Sequence, residues 1–287
     1  LTLSLISLIW ASVKLGEYTY LLSIITILGV VAGFGFPLFA LRELSKQAAL
    51  ELWGVAKGFI LFSLVIVFFQ GIALSAIAGF AYPLLTTYQP SLGQTTFTIA
   101  LLILPLLGLQ PLIASILRGL RQLTPGLIVH EPLSKIVWLV IILSIPVWQY
   151  LQNQGAETSS PSIMSTFAIA TVITFGISFV MLLKLLPKTI KQAKTKLLAG
   201  SWLTQSSVFA GMIVINTLSG NLDILLVGNL LPLEDIAFYK IALQISVFAS
   251  FGLLAARLVA EPQFSRQFAK NNFARLALSA RNAATAG

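Results

Sequence analysis

Between Lys57 and Tyr82 the chain reads GFILFSLVIVFFQGIALSAIAGFA, 24 residues without a charge. As a helix rising about 1.5 Å per residue this covers about 36 Å, more than the roughly 30 Å of a bilayer's hydrocarbon core. A helix also pairs its backbone N–H and C=O groups within itself, which any segment in lipid requires. Similar stretches recur at 18–41, 95–117, 127–150, 162–186, 203–230 and 236–260. Residues 1–13 read as the tail of a further span: too short to cross, and without the basic front and cleavage site of a signal peptide. The chain therefore reads as a fragment of a longer protein. Its composition points the same way, with 57% hydrophobic and 9% charged residues and a mean hydropathy of +0.93. Soluble domains carry roughly a quarter charged residues. The predicted fold class is all-α, a polytopic transmembrane helical bundle.

The 18 Lys and Arg outnumber the 9 Asp and Glu, for a net charge of +9. They fall in clusters between apolar runs: Arg42, Lys46 and Lys57; Arg118 and Arg121; Lys184, Lys188, Lys191, Lys194 and Lys196; then Arg257, Arg266, Lys270, Arg275 and Arg281. These clusters occupy alternate loops, while Tyr82–Thr95 and Gln149–Ser162 carry no Lys or Arg. Basic loops stay cytoplasmic, so the pattern predicts one orientation for the whole bundle. Short interrupted clusters do not track a phosphate backbone, and nucleic acid is not an expected partner. Cysteine is absent, which excludes disulfide scaffolds, zinc–thiolate sites and cysteine nucleophiles. The Lys-rich stretch after Pro187 divides the chain into an N-terminal transmembrane lobe (1–184), a basic cytoplasmic linker (185–200), the first two helices of a second lobe (201–262) and a closing segment (263–287). In that last segment Phe264, Phe268 and Leu276 alternate with Arg266, Lys270 and Arg281. They suit either an interfacial amphipathic helix or a loop leading to another span.

An acidic loop, a tyrosine and a span occur in succession twice, at Leu15-Gly-Glu-Tyr-Thr-Tyr and at Glu234-Asp-Ile-Ala-Phe-Tyr. Such an echo suits two related lobes with a cavity between them. At these residues the chain resembles the polysaccharide-transporter branch of the multidrug/oligosaccharidyl-lipid/polysaccharide flippase superfamily. One matching segment runs from Leu15-Gly-Glu-Tyr to Gly33-Phe-Gly-Phe-Pro-Leu-Phe-Ala-Leu-Arg42-Glu. Another runs from Leu222-Asp223-Ile-Leu-Leu-Val-Gly228 through Phe238-Tyr239-Lys-Ile-Ala242 to Glu261-Pro262-Gln-Phe-Ser265, and Arg118-Gly119 is similar as well. The resemblance implies a MATE-like two-lobe architecture with the second lobe incomplete. It also implies a bacterial inner-membrane location and a substrate, an undecaprenyl-diphosphate-linked oligosaccharide. Membrane lipids, and the polymerase and glycosyltransferases of the same pathway, would be its partners.

Ionisable groups within a span cost free energy and usually face partners, water or substrate. Lys135 lies inside a span with Glu131 four residues earlier, an orientation that suits either a local ion pair or a cavity lysine steadied by its neighbour. Asn216, Gly220 and Asp223 fall at i, i+4 and i+7, one helical stripe that could bind a coupling cation or proton. Asp223 could equally sit at the interface and pair with Lys240. Lys240 and Gln244 are one turn apart, and the lysine either extends a polar track or snorkels to headgroups. Arg42 and Arg118 end spans on the basic side, where guanidinium groups can bind a diphosphate or simply anchor the helix. The expected substrate-binding set is thus Arg42, Arg118, Lys135, Lys240 and Gln244, and the ion-coupling set Asp223, Asn216 and Glu131. Pro105, Gly108 and Pro111 predict a bend, and Gly29 with Gly33 predicts a close helix contact.

The chain has neither G-x-x-x-x-G-K-[ST] nor H-E-x-x-H, and its one histidine, His130, is a poor supply of general bases. The reading is a non-enzyme without cofactor, driven by an ion gradient or by the substrate's own gradient. Three rivals stay open: a Na⁺- or H⁺-coupled multidrug or metabolite exporter, a membrane-embedded polymerase or glycosyltransferase, and a non-transporting scaffold.

Overall fold

The computed structural model describes residues 12–89, 92–130, 132–152 and 160–249. Among them are helices α1 (Ser12–Gly33), α2 (Phe36–Ala49), α3 (Trp53–Phe80), α4 (Tyr82–Tyr88), α5 (Gln94–Gly119), α6 (Leu123–His130), α7 (Pro132–Gln152), α8 (Ser160–Leu185), α9 (Lys188–Gln192), α10 (Ala199–Ser219), α11 (Leu222–Leu230) and α12 (Leu233–Ala249), and no strand. Residues 1–11, Glu131 and the basic segment 263–281 lie outside the described residues. Four helices are long and apolar enough to span a membrane, or up to six elements if each of two bent pairs counts as one span. The chain is a polytopic helical bundle, as its composition predicts.

Each departure from the expected straight spans has a local cause. The span placed at 18–41 is helical to Ala49 but breaks at Phe34 and Gly35, which take φ of 43° and 72°. Gly35 tolerates that left-handed geometry and Pro37 then starts α2. Pro132, which disfavours helix in the residue before it, marks the 42° bend between α6 and α7. The span placed at 203–230 bends by 47° at Gly220–Asn221, between α10 and α11. By contrast α5 stays one helix with Pro105 and Pro111 inside it.

The chain divides into two compact units, Leu1–Ala237 and Phe238–Gly287. Helices on both sides of the Lys-rich stretch therefore share the first unit. The second is described over Phe238–Ala249, the later part of α12.

Within the first unit α5 is the hub, packed by α1, α2, α3, α6 and α8. Its most apolar stretch is 67% buried, against 22% for α3. On α3, Phe69 and Phe80 are 62% and 88% exposed, an apolar surface of the kind a span presents to lipid. Contact pairs give the helix directions. Gly29 meets Leu107 and Gly108, and Gly119 lies under the Ala40 carbonyl, so α1–α2 and α5 run parallel. Gly71 meets Pro105 and Ser75 meets Leu101, so α3 runs antiparallel. Basic loops consequently gather at one end. There Lys57 Nζ donates to the carbonyls of Lys191 at 2.7 Å and Ala193 at 3.1 Å, and Lys196 N donates to Gly54 O at 3.0 Å. Beside them, fully buried Trp202 from α10 stands edge-on to Phe59, centroids 5.4 Å apart, with Phe36, Phe39 and Phe209 completing an aromatic core.

Proline has no N–H, so Pro105 deprives the Leu101 carbonyl of its intrahelical donor. Ser75 Oγ on α3 lies 2.8 Å from that carbonyl and 2.9 Å from Gly71 O, so its one proton can be donated to the Leu101 carbonyl in place of the missing N–H. Ser75→Ala should leave the carbonyl orphaned and lower stability by about 1 kcal/mol. An unfolding titration in mixed micelles would read this as an earlier midpoint, and an unchanged midpoint would argue against the role.

Candidate functional site

The first unit holds a partly open cavity of about 590 Å³ between α1, α2, α5, α8 and α10. Its walls follow from residues that contribute little volume: Gly29 and Gly33 on α1, Pro37 on α2, Gly108 and Pro111 on α5. Gly29 makes the predicted close contact, since a Cβ there would lie 3.3 Å from Leu107 Cβ, whereas Gly33 meets only the Pro37 ring. Pro111 leaves the Leu107 carbonyl without its i+4 donor, and both residues line the cavity, which adds backbone polarity to an otherwise apolar wall.

Arg118 is the sole charged residue among the described lining residues, at the basic end of α5. Its Nη2 donates to Ser115 Oγ at 3.0 Å, while Nε is buried without a partner. Any side chain at Gly126 would collide with the Arg118 stem, so the turn into α6 fixes the direction in which the arginine leaves α5. A buried guanidinium N–H without an acceptor is costly, and an anionic ligand would satisfy it. Farther from the basic end, Thr26, Asn216 and Thr217 supply neutral polar groups, with Thr26 Oγ1 donating to Leu22 O at 2.6 Å. Phe167 lines the cavity and packs edge-on against Tyr18 and Trp138 at 5.9 and 5.6 Å.

Of the residues singled out from sequence, Arg118 and Asn216 meet at this cavity. Arg42 is exposed on α2 and Lys135 is exposed on α7, neither among the lining residues, and Glu131 lies outside the described residues. The stripe expected from Asn216 to Asp223 is divided by the 47° bend. Asp223 sits in the first turn of α11, where its Oδ1 accepts from Ile224 N at 2.9 Å. Lys240 and Gln244 lie one turn apart on α12 in the second unit. Among the described residues no group of three or more His, Cys, Asp or Glu could hold a metal ion.

Two features were not singled out beforehand. Ser115 precedes Arg118 by three residues, so helical spacing alone places both on one face. Glu17 is 5% exposed, and its Oε1 accepts from Gly93 N at 2.9 Å at the start of α5. A carboxylate there complements the helix dipole. No local signal could reveal a pairing across 76 residues.

Comparison with protein-family models, curated proteins and solved structures finds no match to this chain.

Proposed function

We propose that the chain belongs to a transporter of the bacterial inner membrane that moves an undecaprenyl-diphosphate-linked oligosaccharide from the cytoplasmic leaflet to the opposite one by alternating access. The observation that carries this reading is the cavity whose one charged lining residue, Arg118, stands at the end where the basic loops gather. An anionic head entering from the cytoplasmic leaflet would meet that guanidinium first, and a saccharide would then contact Thr26, Asn216 and Thr217. The resemblance of the Leu15–Glu43 and Leu222–Ser265 segments to polysaccharide flippases supplies the identity of the lipid. An exporter of organic cations would be expected to use a carboxylate, and the described lining residues include none.

The test is transfer in proteoliposomes. A fluorescent lipid-diphosphate oligosaccharide, loaded in both leaflets, would lose its leaflet protection from a membrane-impermeant quencher faster than in protein-free vesicles. Transfer at the protein-free rate, or equal transfer of a lipid-linked sugar lacking the diphosphate, would overturn the proposal.

A further inference from the structure

At the end of the first unit away from the basic loops, α11 is tied down by side chains distant in sequence. Tyr20, 2% exposed, donates its hydroxyl to Asn229 Oδ1 at 3.0 Å. Gln89, 6% exposed, donates Nε2 to the carbonyls of Gly228 and Leu231. Gly228 has no side chain, and the Tyr20 ring occupies the space one would fill. Below these ties the chain bends by 47° at Gly220–Asn221, and below the bend Met212, Ile213, Asn216 and Thr217 line the cavity. The two arms of this bent pair are held differently. The start of α10 is locked by Trp202 and Phe209 in the aromatic core, whereas α11 packs through Ile224 and Gly228 and is otherwise restrained by neutral hydrogen bonds, which are individually weak in membrane proteins.

We infer that Tyr20, Gln89 and Asn229 form a latch that closes the cavity at the end away from the basic loops. The α11 arm is the moving part, and Gly220–Asn221 is its hinge. With the latch closed the cavity is to be entered from the basic side, where Arg118 lines it, and opening to the other side breaks these neutral ties while the aromatic core stays packed. A charged tie would resist opening with a desolvation cost each way, whereas hydrogen bonds between amides and a phenol can be exchanged for water. The inference rests on the transport reading, since a static scaffold needs no gate.

Because the chain contains no cysteine, Thr217→Cys introduces a single reporter in the cavity wall. Oriented vesicles would be treated with a membrane-impermeant maleimide from one side at a time. The expected result is labelling from the basic side and little from the other. Tyr20→Phe and Gln89→Ala, each added separately, should raise opposite-side labelling about tenfold while basic-side labelling persists. A Tyr20→Cys, Gly228→Cys pair, placed where the ring now meets the glycine, should cross-link on oxidation and hold a reporter at 217 inaccessible from the opposite side until reduced. Equal labelling from both sides in the parent, or no change in any latch variant, would overturn the latch. The readout needs no substrate, so side-dependent labelling without lipid transfer would reject the proposed substrate and keep the gate, and transfer without side-dependence would do the reverse.

Discussion

Arg118→Gln is expected to reduce lipid-diphosphate transfer by about one to two orders of magnitude while leaving the protein assembled. The substitution keeps a long polar side chain near Ser115 but removes the charge and the forked donor set. Hydrogen bonds between charged groups contribute about 1.5–3 kcal/mol each, and every 1.4 kcal/mol is roughly a factor of ten. Arg118→Lys should fall between the two, because an ammonium restores charge without bidentate geometry. The buried Nε, unpartnered without ligand, predicts a second consequence. Removing an unsatisfied buried donor should not lower the thermal midpoint, so activity and stability should separate. Transfer and melting measured on one preparation would check this, and a Gln variant that transports at the parent rate would remove Arg118 from the substrate path.

Six of the seven expected spans, two of them bent, were legible in the sequence because lipid imposes a simple demand: about 20 apolar residues with internal backbone pairing; the seventh, 236–260, runs beyond the described residues. The parallel course of α1–α2 and α5 and the antiparallel course of α3 agree with the alternation of their basic flanks, and the contact of Lys57 with the Lys191 carbonyl places two of those flanks together. Breaks within spans were harder to read. Gly220–Asn221 divides α10 from α11, yet α5 stays one helix through both Pro105 and Pro111, and Ser75 on α3 reaches the carbonyl that Pro105 orphans. Proline or glycine alone therefore does not decide where a span breaks, and local sequence does not show it. The same holds for the cavity. Arg118 and Asn216 stand out as polar groups in apolar runs, and both line it. Arg42 and Lys135 look identical by that criterion but are exposed, since a polar group in an apolar run does not itself say whether its face meets the cavity or the surroundings of the bundle. Glu17 was visible as an acid, but its partner Gly93 is set by the parallel packing of α1 and α5.

Gly71→Leu is expected to prevent α3 from docking on α5. A Cβ at this position would lie 2.6 Å from Pro105 Cα and 3.0 Å from its Cβ. Neither atom can move aside as a flexible side chain does, because one is backbone and the other belongs to a rigid ring. Relief therefore requires the helices to separate. Separation would also pull Ser75 from the Leu101 carbonyl one turn away and loosen Val67 from Gly108 on the cavity-lining helix. Overpacking in a close-packed interior costs about 1–3 kcal/mol before such coupled losses are counted. The expected total exceeds that of Ser75→Ala and should appear as poor recovery of folded protein or a large fall in melting temperature. Gly176 on α8 is the control, since a Cβ added there meets nothing within 4 Å. Gly176→Leu should be tolerated, because the added side chain points into open space and replaces a glycine that is unfavourable in a helix by about 0.5–1 kcal/mol. If the two leucine variants melted alike, the close contact with Pro105 would not be the cause of any loss at Gly71. If only Gly71→Leu collapsed, the α3–α5 crossing would stand as the contact on which the cavity wall depends.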